Sequence, residues 1–196
     1  MAYLKSKRIL LPLGLLLVAL VFSACNNSDR PVAPGSNPSY VPQNNCTGVL
    51  GNNTVGNQTT TSNDLFFYPQ APVTNTTLVS LSIYTASTVP VTFEAGIYSN
   101  NTGSPLSLLI ETGPQTVSGP ATMWNTVSLV HPLSLSAGVT YWLAYQSGPS
   151  NAVPDQYSAP VPYCYQPAGA FGSLPPNFTG TVTSGFTFSV YGTTCP

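Results

Sequence analysis

From Val139 to Gln146 the chain alternates, with Val139, Tyr141, Leu143 and Tyr145 set against Thr140, Trp142, Ala144 and Gln146. A period of two puts one row on one face of an extended strand, and the β-branched and aromatic content suits a pleated, half-buried surface. With Trp124 to Leu135 before it, this stretch reads as two strands joined by a Pro/Ser/Gly turn. The same grammar recurs elsewhere. Leu65 to Tyr68 is a short apolar run stopped by Pro69; Val79, Leu81 and Ile83 alternate with Ser80, Ser82 and Tyr84; Val91, Phe93, Ala95 and Ile97 alternate with Thr92, Glu94, Gly96 and Tyr98. Leu106 to Glu111 is another short strand. Val161, Tyr163 and Tyr165 form a proline-flanked strand suited to a sheet edge. Phe186, Phe188 and Val190, against Thr187, Ser189 and Tyr191, form the closing strand. No stretch carries a capped 3.6-residue period, and 20 prolines and 16 glycines punctuate the chain at the spacing of short strands. The expectation is an all-β fold, a single antiparallel β-sandwich of about eight or nine strands.

The front of the chain reads as export machinery. Lys5, Lys7 and Arg8 precede an apolar run, Ile9 to Phe22, which ends at the small residues Ser23 and Ala24 before Cys25. That is a basic region, an apolar region and a cleavage site, and the run is shorter than the ~20 residues a spanning helix needs. Its end, Val21-Phe22-Ser23-Ala24-Cys25, resembles a bacterial lipoprotein signal, with Phe22 where the family usually has an aliphatic residue. The resemblance implies that residues 1–24 are a signal peptide and that Cys25 becomes the acylated first residue of an envelope protein. Asn26 after the cysteine implies the outer membrane in a diderm cell. Residues 25–45, rich in Pro, Asn and Ser, read as a tether, and residues 46–196 as the sandwich domain.

Charge narrows the function classes. Lys5, Lys7, Arg8 and Arg30 are the only basic residues, so residues 46–196 contain none. Nucleic acid is excluded as a partner, because phosphate contacts need cationic side chains, and anionic substrates held by ion pairs are excluded with it. The acids of that region are Asp64, Glu94, Glu111 and Asp155. Nothing in the spacing brings two of them together as a glycosidase requires. His131, the only histidine, precedes Pro132 in an apparent turn, and no G-x-S-x-G is present, so a hydrolase site is not expected. Neither a metal site nor a cofactor is expected.

From about Gly48 to Gly192 the segments VSLSIYT, AGIYSNNTGSPLSLL, MWNTVSL, LSAGVTYWLAY and FTFSVYG resemble a jelly-roll-like β-sandwich module of secreted and surface-anchored bacterial proteins. The resemblance implies architecture, and it carries little about activity. Some such modules are carbohydrate-binding or adhesive.

With Cys25 lipidated, Cys46, Cys164 and Cys195 remain in an oxidising compartment, where one must stay unpaired. Cys46 opens the first strand and Cys195 follows the last, and such strands are often neighbours in a sandwich. A Cys46–Cys195 disulfide is the expectation, with Cys164–Cys195 the rival.

What remains is aromatic. With the alternating apolar rows turned to the core, the opposite faces carry Tyr84, Tyr98, Trp142 and Tyr191 among Ser, Thr and Asn. Rings with an apolar face and a polar edge suit an uncharged ligand such as a sugar. The functional expectation is a lipid-anchored, non-catalytic envelope protein that binds a neutral ligand such as carbohydrate or mediates adhesion. The alternative is a structural lipoprotein that packs against other envelope proteins and has no small ligand.

Overall fold

The structure is a computed structural model that describes residues 45–60, 64–87, 89–117, 122–148, 153–167, 169 and 171–196. The expected signal peptide, Cys25 and the expected tether up to residue 44 lie outside the described residues. Twelve strands follow in chain order: β1 Gly48–Gly51, β2 Gln58–Thr60, β3 Leu65–Gln70, β4 Thr76–Thr85, β5 Val91–Asn101, β6 Ser104–Glu111, β7 Gln115–Val117, β8 Met123–Leu135, β9 Tyr141–Ser147, β10 Val153–Gln166, β11 Thr181–Phe188 and β12 Val190–Cys195. They form two antiparallel sheets, a small one ordered β1-β12-β4-β8 and a large one ordered β11-β10-β3-β9-β5-β6, with β2 beside β10 and β7 beside β5. The all-β sandwich read from the alternation is the architecture observed.

The count exceeds the expected eight or nine for identifiable reasons. β2 and β7 are three-residue strands too short to show a period. The expected closing strand is divided: β11 ends at Phe188 in the large sheet and β12 starts at Val190 in the small one. Ser189 makes the corner, its Oγ accepting from Gly56 N at 2.9 Å and donating to Thr54 O at 3.0 Å. The alternation survives the crossing, because Phe188 and Val190 both enter the space between the sheets.

That space holds Leu81 and Ile83 of β4, Phe93 and Ile97 of β5, Leu143 and Tyr145 of β9, and Phe188 and Val190. Burying a side chain of this size contributes about 1.5–3 kcal/mol. Packing is close enough that a Cβ on Gly192 would collide with Leu78 Cδ1. The β5–β6 hairpin turns on Thr102 and Gly103, with φ of 46° and 90°, the positive values that two-residue hairpin turns require.

Four local expectations are corrected. Val79 is not a core residue: the register slips between Leu78 and Ser80, so Leu78 turns inward in its place. Val139 lies before β9 and is 45% exposed. His131 is not in a turn between strands; it is exposed within β8, where the partner of β4 jumps from Leu133 to Ser128. The proline-flanked segment belongs to β10, an inner strand, not to an edge. Among the described residues β10 meets β3 at Cys164–Gln166 and β2 at Val153–Asp155, and Pro160 and Pro162 fall between these two ladders.

Candidate functional site

Each sheet has an outer face, and the two faces have opposite fates. On the large sheet β9 is buried along its whole length, although the sequence presents it as a half-buried strand. Tyr141, Leu143 and Tyr145 enter the inter-sheet core, while Trp142 and Ala144 join a second apolar cluster with Leu65, Phe67, Tyr98, Cys164 and Leu174. The cover is the described part of the connection between β10 and β11, residues 167, 169 and 171–180. Leu174 is buried beneath it, and Phe178 meets Phe67 edge to face at 5.0 Å.

This strap is fastened along its length. Tyr98 Oη donates to Pro175 O at 2.6 Å, Leu108 N to Pro176 O at 2.9 Å, and Phe178 N to Leu106 O at 3.0 Å. Trp142 is held from the side, its Nε1 donating to Asn100 Oδ1 at 2.9 Å. Tyr98 is 0% and Trp142 1% exposed, so two of the four aromatic residues expected to meet a ligand are out of solvent's reach in this structure. The reason is the strap, whose lack of apolar periodicity conceals its role as a lid.

On the small sheet the outer face has no such cover among the described residues. Tyr84 of β4 stands opposite Trp124 of β8, and their rings meet edge to face at 5.4 Å and 77°. Tyr191 of β12 closes on the same indole at 4.8 Å and 68°. All three rings are half-buried, and they form one group across three adjacent strands. Beside them Ser82 Oγ and Thr126 Oγ1 share a hydrogen bond of 2.8 Å. Tyr84 and Tyr191 are therefore brought together, away from Tyr98 and Trp142. Trp124, named in the sequence only as the start of a strand, is the centre of the group. Its signal was parity: it is followed by inward-facing Asn125, Val127 and Leu129.

Elsewhere the chemistry is sparse. Cys46 and Cys195 form the expected disulfide, with β1 and β12 paired from Gly48–Thr194 to Gly51–Tyr191. Cys164 is free and buried, and burial pushes its thiol up to about 12. His131 is on the small sheet, whereas Glu94 and Glu111 are on β5 and β6 of the large one. Among the described residues no group of three or more His, Cys, Asp or Glu could hold a metal ion. An open cleft of about 350 Å³ lies between β1 and residues 70–76; its lining, which includes Gln70, Pro72, Thr76 and Thr194, has no ionisable side chain.

The sequence places no two acids together, yet Glu94 and Glu111 meet under the strap. The register explains it: Glu111 pairs with Gly96, two residues from Glu94 and on the same face. Glu94 Oε2 accepts from Gly172 N at 3.2 Å; Glu111 Oε2 accepts from Leu174 N at 2.7 Å and its Oε1 from Ser173 Oγ at 3.3 Å. Burial raises the Glu94 pKa above the ordinary carboxylate range; the Gly172 bond opposes this, and the Glu111 charge adds to it.

No protein-family model matches this chain, and no curated protein matches it either.

Proposed function

We propose that this protein is a lipid-anchored, non-catalytic module of the cell envelope that binds a neutral ligand, carbohydrate being the class that fits, on the outer face of the small sheet. The observation that carries the reading is the ring group of Tyr84, Trp124 and Tyr191. Three half-buried aromatic rings beside the exposed Thr126 offer apolar contact to the C–H face of a sugar and a hydrogen-bonding group to its rim. The absence of Lys and Arg beyond Arg30 fits an uncharged glycan and disfavours an acidic one. The membrane attachment rests on Cys25 and its preceding signal.

Titration of the protein with a panel of neutral oligosaccharides, followed by calorimetry, tests the reading. Trp124→Ala is expected to weaken the best ligand by about 30-fold or more, the effect of losing a central ring worth ~2 kcal/mol. Trp142→Phe, beneath the strap, is expected to bind as the native chain does. No binding by the native protein, or unchanged binding by Trp124→Ala, overturns the proposal and favours a structural envelope protein.

A further inference from the structure

The two halves of the strap are fastened by different chemistry. Residues 175–179 are held by neutral bonds to Tyr98, Leu106 and Leu108, and by Thr179 N donating to Gln166 Oε1 at 3.0 Å. Gly169 and residues 171–174 are held by Gln146 Nε2 donating to Gly169 O at 2.8 Å and by two carboxylates, which take the three successive residues Gly172, Ser173 and Leu174. One half is thus a hinge whose bonds do not titrate, and the other a latch whose bonds do.

The latch is electrostatically unbalanced. Glu94 is 0% exposed, and its Oε1 has no hydrogen-bond partner among the described residues. The groups facing it are Glu111 from β6, the Tyr98 phenol from its own strand, and neutral Gln146, which pairs with it from β9. The described part of the strap brings no ionisable side chain, and residues 46–196 hold no Lys or Arg to supply a positive charge. A protonated Glu94 is tolerable in such a place; an ionised one is a buried, uncompensated charge beside a second carboxylate. Lifting Gly169 and residues 171–174 would let water reach it and draw Leu174 off the second cluster, opening that cluster's edge to solvent.

We propose that residues 171–174 are a pH-responsive flap, closed over Glu94 with Leu174 seated in the second cluster while Glu94 carries its proton, and lifted when Glu94 ionises. The sign follows from linkage: a carboxyl whose pKa is raised by the closed form stabilises that form at low pH, and the contribution is lost as pH rises through the raised value. Opening would be local, with the sandwich intact around it. The flap is on the opposite sheet from the Tyr84–Trp124–Tyr191 face, so it stands or falls independently of glycan binding there.

Amide hydrogen exchange on the intact folded chain tests it, using the ratio of the Gly172 and Leu174 rates to the Phe178 rate, because the ratio cancels the intrinsic pH dependence of exchange. The ratio is expected to rise as Glu94 titrates, by about tenfold for each pKa unit by which closure displaces the carboxyl. Glu94→Gln should keep the ratio low and flat. Glu111→Gln removes the neighbouring charge and should move the transition to lower pH, which keeps the proposal testable should Glu94→Gln fold poorly. A flat ratio in the native chain, a Glu94→Gln chain that opens with pH as the native one does, or an unmoved midpoint in Glu111→Gln overturns the flap. So does closure by added Ca²⁺ at fixed pH, which would assign the pair to a metal ion.

Discussion

Replacing Cys46 and Cys195 by alanine removes a covalent link without removing a strand pair. The β1–β12 ladder from Gly48–Thr194 to Gly51–Tyr191 is backbone, and the Thr76 hydroxyl bonds the backbone carbonyl of residue 195, which the substitution keeps. The loss therefore falls on the unfolded chain. The bridge spans 149 residues, and the chain-entropy relation turns a loop of that length into ~5 kcal/mol at 25 °C. Domains of this size have stabilities of about 5–15 kcal/mol, so the bridge is worth between a third and all of the total. Near the melting temperature 1 kcal/mol shifts Tm by roughly 2–4 °C in a chain of this size, which makes the expected drop ~10–20 °C. Calorimetry of the native protein, the double variant and the native protein in reductant measures it. A loss below ~2 kcal/mol would refute the reasoning, showing that loop closure contributes little here. An equal loss from Cys164→Ala would refute it differently, by pointing to another pairing.

Cys164 is expected to resist a thiol reagent at neutral pH in the folded protein and to react only on unfolding, because it is both fully buried and held protonated. Labelling the native chain with and without denaturant checks this, and rapid labelling of the folded form would contradict the assigned burial. If acyl chains on Cys25 supply the anchor, as the proposed function holds, Cys25→Ser moves the protein from the membrane fraction to the soluble one. Fractionation and intact mass of the extracted protein measure it; an unmodified Cys25 in membrane-bound protein would sink the lipid reading.

How far the sequence discloses the structure depends on the scale of the feature. Alternation alone located the core rows of β5 and β9, because a strand with one face inward shows it residue by residue. It failed at Leu78 and Val79, where a register slip reverses parity and leaves no mark in composition. The disulfide was legible because pairing of the first and last strands is a topological tendency, and β1 does lie against β12. Tyr98 and Trp142 were misplaced for a different reason. Parity assigns them to an outer face correctly, but whether that face is wet depends on a connection that follows dozens of residues later. Glu94 and Glu111 needed the β5–β6 register, and without Gly96 opposite Glu111 their meeting could not be read.

Connection length explains why one face became a second core and the other did not. From Gln166 to Thr181 the chain has room to cross the large sheet, and Leu174 and Phe178 give it apolar residues to bury there. The links that start or end on β4, β8 and β12 are short: residues 71–75 before β4, residues 86–90 after it, residues 118–122 before β8, residues 136–140 after it, and the single residue Ser189 before β12. None is long enough to cover three strands, so Tyr84, Trp124 and Tyr191 keep one side toward solvent while stacking against one another. The same division separates the roles of charge. The open face presents rings and hydroxyls, suited to a ligand that brings no charge, whereas Glu94 and Glu111 are spent under the strap, where their effect is on its closure. In a sandwich without Lys or Arg, a buried carboxyl can be balanced only by a proton or by something from solution, and that requirement ties the large sheet's cover to pH.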